Sequence, residues 1–204
     1  MILAIESAST DPSVAVLADD GELLHLAGWS STPRQAHELL PRLLAGLAEA
    51  GGQIVDVTAI GIGLGPGSFT GLRVGMSLAK GLAFALGCPV FGVPSLEAWL
   101  AAEPEADGAA VRAGAKDAYL LLRGEQEPRI VEREALLAAA RLVAPGELAD
   151  AFGLADTLRP TRAAAAVGAA AAKRLAGGAQ GDDLEHLEPR YLRAPRGLPE
   201  PAAG

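Results

Sequence analysis

Hydrophobic and polar positions follow two different periods in the first half of the chain. Short apolar runs predict β-strands, whereas leucines at four-residue spacing from Gln35 to Ala50 predict an amphipathic helix. A second helix is expected from about Thr70, whose hydroxyl would cap it, to Leu86, and Ser95 is expected to cap a third. This alternation predicts a mixed sheet with helices on its faces. The strands are expected in residues 2–5, in two arms of 13–29 joined by a turn, in 57–65 and in 88–93.

The periodicity weakens in the second half. The segments AYLLLRG and PRIVER are expected to pair as strands, and the alanine-rich run before Gly177 and Gly178 is expected to form a helix. This change divides the chain into an N-terminal lobe of residues 1–104 and a smaller, degenerate C-terminal lobe of residues 105–193. Residues 194–204 are rich in proline and have little to bury, so we expect a disordered tail there.

Composition limits the possible functions. Of 204 residues, 50% are hydrophobic and 4% aromatic, enough for a sizeable core. The net charge of −8 argues against direct binding of nucleic acid but leaves open a role inside a larger RNA-handling complex. The single cysteine, Cys88, fits a reducing compartment. The start of the chain has no signal-peptide pattern and no run is as long as a membrane span, so we expect a cytoplasmic protein without membrane association.

A glycine-rich stretch, residues 63–75, joins a predicted strand to the second helix. Glycines allow positive φ angles, and a loop of this kind can present bare N–H groups to an anion. Two common phosphate-binding patterns nevertheless fail, because no Lys-Ser or Lys-Thr pair closes the loop and Ser68 replaces the third glycine of the dinucleotide pattern. The glycine loop consists of Gly65, Pro66, Gly67, Ser68, Phe69, Thr70 and Gly71.

Candidate catalytic residues are few. The histidines, His25, His37 and His186, are scattered and none has a second ligand four residues later, so no metal site is predicted. No serine stands in a nucleophile-elbow pattern. Glu6 ends the first strand and is followed by Ser7, an arrangement that suits a magnesium–phosphate site. Glu6 could equally cap the hairpin turn.

Two segments resemble the TsaB family, also called YeaZ: ILAIESASTDPSVAVL near the start, and GPGSFTGLRVGMSLAKGLAFALGCPVFGVPSLEA after the first helix. The resemblance covers most of residues 1–101, and PRYLR at 189–193 adds a fragment in the second half. It implies the α/β fold of the actin, hexokinase and sugar-kinase (ASKHA) superfamily, with two related lobes of mixed β-sheets flanked by helices. It also implies that the glycine loop belongs to the first lobe and to a subunit interface, not to a kinase-type phosphate cradle.

The same resemblance implies a function. In this family the protein is a non-catalytic subunit that binds and activates a TsaD-type transferase, which threonylcarbamoylates the tRNA adenosine next to the anticodon. A TsaE-type ATPase joins the complex. For this chain we expect a homodimer when it is alone, contact with tRNA only through the complex, and no cofactor beyond weak ATP or ADP binding at a vestigial nucleotide site, Glu6 and Ser7. The alternative is a stand-alone enzyme of the superfamily, either a glycopeptidase-like hydrolase or a small-molecule kinase.

The chain departs from its relatives at the end of the first strand and in the third helix. TsaD carries a metal-binding His-x-x-x-His motif, and the corresponding stretch here, VPSLEAW, has Ser95 and Trp99 where the histidines stand. Neither side chain replaces an imidazole ligand. Glu6 stands where TsaB proteins usually have aspartate, which weakens the case for nucleotide binding.

The second helix is apolar nearly all round, with only Arg73, Ser77 and Lys80 to supply a polar face. Excess apolar surface marks an interface unless the second lobe covers it. Arg73 could also bind a phosphate or carboxylate, or stay solvated. Together with the resemblance, the pattern predicts a four-helix seam with the matching helices of TsaD or of a second copy, centred on Met76 and Leu44. The predicted interface is His37, Leu40, Leu44, Arg73, Met76, Lys80 and Phe84.

Overall fold

Two five-stranded sheets form the centre of the computed structural model, which describes residues 1–31, 35–139 and 141–192. The first half of the chain forms β1 (Ile2–Glu6), β2 (Ser13–Leu17), β3 (Leu23–Gly28), α1 (Gln35–Glu49), β4 (Ala59–Gly63), α2 (Phe69–Leu86), β5 (Val90–Val93) and α3 (Ser95–Ala102). The second half forms β6 (Gly108–Arg112), β7 (Asp117–Leu122), β8 (Arg129–Glu132), α4 (Arg133–Leu137), β9 (Leu142–Val143), α5 (Gly146–Phe152), β10 (Thr157–Leu158) and α6 (Ala163–Ala176). No helix in the described ranges is both long and apolar enough to cross a membrane.

The first sheet has the strand order β3-β2-β1-β4-β5. β1 pairs antiparallel with β2 and parallel with β4, so the sheet is mixed, as the sequence predicts. Alternate residues of β1 face opposite sides. Leu3 and Ile5 share a core cluster with residues of α1 and α2, whereas Ile2 and Ala4 share one with residues of α6. Helices therefore cover both faces of this sheet.

The second sheet repeats this topology. Its strand order is β10-β9-β6-β7-β8, with antiparallel pairs β6–β7 and β7–β8 and parallel pairs β6–β9 and β9–β10. Strands β1 to β5 pair in the same way in the first sheet. The expected pair of related lobes with mixed sheets is thus confirmed, and so is the pairing of AYLLLRG with PRIVER. Because β9 and β10 have two residues each, the second sheet is the reduced copy.

The alanine-rich helix α6 comes from the second half of the chain but packs on the first sheet. It contacts β1, β2, β4 and β5. Small residues permit this close approach, because Val167 and Ala171 lie against Gly61 of β4. The predicted lobe boundary after residue 104 therefore separates the two sheets but not the helices that cover them. That residue 104 is a domain boundary stays a prediction. The predicted tail, residues 194–204, lies outside the described residues.

Two helix caps differ from the prediction. Ser68, not Thr70, caps α2, because the chain enters the helix earlier than expected and the Ser68 hydroxyl accepts a hydrogen bond from the Gly71 N–H at 3.2 Å. Ser95 does not cap α3. Its hydroxyl instead accepts a hydrogen bond from the Gly65 N–H at 2.8 Å. Both serines thereby hold the glycine loop between β4 and α2.

Candidate functional site

Helices α1 and α2 lie side by side on one face of the first sheet. Leu39, Leu43 and Leu47 of α1 are buried at four-residue spacing and hold this helix on β2 and β3. α2 rests on β4 and buries Ala79 and Ala83. The outer sides of both helices are therefore directed away from the sheet.

Apolar side chains are exposed on these outer sides. Leu40 and Leu44 of α1 are 37% and 42% exposed, and Phe84 of α2 is 86% exposed. Full burial of a phenylalanine contributes about 1.5–3 kcal/mol, a gain that contact with a partner would supply. We call Leu40, Leu44, Arg73 and Phe84, together with the exposed His37, the α1–α2 surface.

Met76 does not lie on this surface. It is only 5% exposed and belongs to the core cluster that includes Leu43 and Ile62. The structure thus corrects its expected place at the centre of an exposed patch. Because α2 is apolar on nearly every side, its sequence does not distinguish the core-facing side from the outer side. The sequence-based prediction therefore placed Met76 on the wrong side. Lys80 is half-buried, and partner contact by the other predicted residues stays a prediction.

Arg73 is tied to the C-terminal part of the described chain. Its guanidinium carbon lies 4.1 Å from the centre of the Phe69 ring, and its Nε donates to the Tyr191 hydroxyl at 3.3 Å. The rings of Phe69 and Tyr191 lie 5.4 Å apart. This cluster fixes the first turns of α2. Sequence reasoning gave Tyr191 no role, and its place in the PRYLR fragment was the only signal for it.

The glycine loop folds against the residues that follow β1. The Ser68 N–H donates to the Ala8 carbonyl at 2.6 Å, and the Ser7 hydroxyl donates to the Gly71 carbonyl at 2.9 Å. Gly67 has no room for a side chain, because an added Cβ would overlap the Ala8 carbonyl oxygen. The loop is therefore packed into the first lobe by its backbone.

Glu6 and Ser7 are enclosed at the end of β1, with 1% and 0% of their surface exposed. Glu6 Oε1 accepts a hydrogen bond from the Ala8 N–H at 2.7 Å. Oε2 faces Ser95 and Trp99 and has no hydrogen-bond partner of good geometry among the described residues. Burial raises the pKa of the Glu6 carboxyl from 4.5 to about 7, against the opposing effect of these neighbouring donors. A nucleotide has no direct access to either residue, and weak ATP or ADP binding stays a prediction.

A cleft of about 750 Å³ opens between the lobes. Ser68 and Phe69 of the glycine loop line one side, and the hairpin of β6 and β7 lines the other. Partial burial raises the pKa of Glu147 in this cleft, and the positive charge of Arg112 opposes the shift. Sequence reasoning missed the cleft because its residues lie far apart along the chain. The charged residues that line it are Arg112, Lys116, Asp117, Glu147 and Arg190.

Ser95 and Trp99, the residues at the expected histidine positions, lie on α3. Trp99 is fully buried in the core cluster that joins the lobes, and its indole Nε1 has no hydrogen-bond partner among the described residues. Within residues 1–31, 35–139 and 141–192, no group of three or more His, Cys, Asp or Glu side chains is placed to hold a metal ion.

Known proteins resemble this chain in sequence and in fold. The family of TsaD, tRNA N6-adenosine threonylcarbamoyltransferase, matches residues 32–151, which is more than half of the chain. The chain belongs to this family. Within the TsaD family it is similar to TsaB, the tRNA threonylcarbamoyladenosine biosynthesis protein of Escherichia coli, with 38% identity over 96 residues that make up 47% of this chain and 40% of TsaB. A TsaD family transferase of Clostridium botulinum is 35% identical over 116 residues, 50% of this chain and 34% of its own length.

The solved structure of YeaZ from Pseudomonas aeruginosa matches with a TM-score of 0.71 and 29% identity, covering 94% of this chain and 99% of YeaZ. The likeness extends over both lobes, so the predicted ASKHA fold and the TsaB, or YeaZ, type of the chain are confirmed. In sequence, the chain matches only 28–46% of the length of its curated relatives. Their activities and partners do not follow from similarity alone.

Proposed function

We propose that this chain is a non-catalytic subunit that binds and activates a TsaD-type threonylcarbamoyltransferase, which modifies the tRNA adenosine next to the anticodon. A TsaE-type ATPase joins the complex, and tRNA is contacted only through the complex. The net charge of −8 supports this indirect role, because direct binding to the phosphate backbone needs a basic face. The protein acts in the cytoplasm and pairs with a second copy when the transferase is absent.

The α1–α2 surface carries the proposal. Phe84 stands almost free in water on α2, while Leu40 and Leu44 are partly exposed on the neighbouring helix. Two adjacent helices offer parallel ridges and grooves into which two helices of a partner can pack. The resulting four-helix seam would bury these apolar side chains, with the matching helices of the transferase or of a second copy on the other side.

The non-catalytic part of the proposal rests on α3. The Ser95 hydroxyl is engaged by the glycine loop and Trp99 fills the core, so neither position offers a metal ligand. Among the described residues His25 pairs with Glu49 and His186 with Asp183, and no group of three or more His, Cys, Asp or Glu side chains could hold a metal ion.

Copurification with the TsaD-type protein of the same organism tests the surface. Phe84→Glu and Leu44→Glu each place a charge in the proposed contact and should weaken binding at least about tenfold, as expected for buried interface residues. Ile130→Glu places the same charge at an exposed apolar position of the second sheet and serves as the matched control. Wild-type affinity in both helix variants would locate the interface elsewhere.

A reconstituted reaction tests the role. The transferase, the ATPase and tRNA should form threonylcarbamoyladenosine efficiently only when this chain is added, and Phe84→Glu should lower that stimulation in proportion to its loss of binding. Threonylcarbamoyl transfer by this chain without the transferase, or a reaction rate independent of the chain, would overturn the accessory role.

A further inference from the structure

Glu6 is a buried acid without a counter-charge. The groups that surround its carboxyl are all neutral: the N–H groups of Ser7 and Ala8, the Ser95 hydroxyl and the Trp99 indole. No ion pair joins Glu6 to another residue in the described part of the chain. A carboxylate is strongly disfavoured in such a place compared with the neutral acid, because it loses its hydration and gains no opposite charge.

The elements packed around Glu6 supply no charge to it. Strands β2 and β4 contain no titratable side chain. The nearby Asp11 is already paired with Arg159. The charged residues of the surrounding helices are placed away from this carboxyl. On α3, Glu97 is exposed. On α2, Arg73 binds Tyr191 and Lys80 lies two turns beyond Arg73, while on α6 Lys173 and Arg174 lie in the last turn. Burial and hydrogen bonds therefore decide whether Glu6 is ionised.

The carboxyl of Glu6 is connected to both ends of the glycine loop. Oε1 binds the Ala8 N–H, and the Ala8 carbonyl binds the N–H of Ser68, the cap of α2. Oε2 occupies the space beside Gly63, where an added Cβ would overlap it and lie close to the Ser95 hydroxyl. That hydroxyl holds the start of the loop. A change at this carboxyl therefore affects the hydrogen bonds that hold the glycine loop where the loop begins and where it enters α2.

We propose that Glu6 is a proton-controlled anchor of the glycine loop: the protonated acid holds the loop and the first turn of α2 in place, and ionisation loosens both. The neutral acid keeps Oε1 as an acceptor for Ala8 and gains an O–H at Oε2 that can bind the Ser95 hydroxyl. The carboxylate needs water, so it favours states in which the loop lifts and water enters. The pKa of about 7 for Glu6 places this change near neutral pH.

Hydrogen exchange at single amides measures the opening of the loop. With a carboxyl pKa of about 7 when the loop is closed and 4.5 when it is open, opening should become about tenfold more favourable from pH 6 to pH 8. The amides of Ala8, Gly65 and Ser68 should show this loss of protection after correction for intrinsic exchange. Glu6→Gln keeps the shape but does not titrate, so it should abolish the response. Glu97→Gln, an exposed change on α3, should keep it.

Trp99 provides a readout with Glu6 intact. In a Trp29→Phe protein Trp99 is the only tryptophan, and its fluorescence should titrate with a midpoint near 7 because its indole adjoins the carboxyl. Adding Glu6→Gln should make the profile flat. Unchanged protection between pH 6 and pH 8 in the wild type, or a pH response that survives in Glu6→Gln, would overturn the proposal. Neither result depends on whether a transferase is the partner.

Discussion

Asp11 and Arg159 form an ion pair that ties the two lobes together, with 2.8 Å between the Arg159 Nη1 and the Asp11 Oδ2. The two residues are 148 positions apart. The same Oδ2 accepts a hydrogen bond from the Gly146 N–H at 2.9 Å, and Oδ1 accepts one from the Ser30 hydroxyl at 2.6 Å. One buried side chain in the loop after β1 thus satisfies donors from both halves of the molecule.

Asp11→Ala should lower the free energy of unfolding by about 2–4 kcal/mol, because it leaves the buried Gly146 N–H without its acceptor and removes a charged hydrogen bond. Urea denaturation measures the difference. Glu105→Ala is the matched control, since it breaks an exposed pair with Arg141 and should change stability by less than about 1 kcal/mol. Equal effects of the two substitutions would contradict the assigned role of Asp11.

The stabilities of Met76→Glu and Phe84→Glu should distinguish the buried side of α2 from its exposed side. The first buries an unpaired charge in the core and should destabilise the monomer by at least about 3 kcal/mol. The second changes a side chain in water and should stay within about 0.5 kcal/mol of the wild type. Denaturation followed by circular dichroism at low protein concentration makes the comparison. If Met76→Glu is as stable as Phe84→Glu, Met76 faces outward.

Two glycine-to-alanine substitutions should change the free energy of unfolding in opposite directions. Gly81 lies in the middle of α2 and a Cβ there meets no atom within 4 Å, so Gly81→Ala should stabilise by about 0.5–1 kcal/mol. Gly67→Ala forces a Cβ against the Ala8 carbonyl and should destabilise by about 1–3 kcal/mol. Thermal unfolding of both variants under the same conditions tests the pair. A stabilising effect of Gly67→Ala would show that the loop leaves room for a Cβ beside the Ala8 carbonyl.

The stability of the protein should fall as pH rises, because of Glu6. Its pKa of about 7 in the folded state lies above the 4.5 of the free side chain, so the folded state holds more protons between these values. The contribution is fully present below pH 4.5 and is lost as pH rises through 7. Between pH 5 and pH 8.5 this contribution should fall by about 2.5 kcal/mol, to be measured as the change in the difference in unfolding free energy between wild type and Glu6→Gln. A constant difference would contradict this account.

Local patterns were sufficient to predict most of the first lobe. The leucine spacing of α1 predicts both the helix and its buried side, and Leu39, Leu43 and Leu47 are indeed the residues that face the sheet. β1, β4 and β5 are short apolar runs, and each is a strand. These predictions succeed because a period of two or of 3.6 residues directly reflects which side of an element is buried.

Other features depend on contacts that no local pattern contains. Ser68 and Thr70 are both good capping residues, and only the path of the chain selects Ser68. The two-residue strands β9 and β10 are too short to show a period. Arg73 and Tyr191, which meet in the cluster with Phe69, are 118 positions apart along the chain. Candidate sites built from such contacts, the cleft above all, become visible only in three dimensions.

The placement of α6 has a consequence for biosynthesis. This helix covers the face of the first sheet that includes Ile2, Ala4 and Ala15, yet it is made only when the ribosome reaches residues 163–176. Large proteins commonly fold from the N-terminus as each domain emerges. Here the first lobe cannot be finished in that order, because its last layer is translated after the whole second sheet. The nascent chain therefore presents one apolar side of its first sheet to the cell until α6 has been translated.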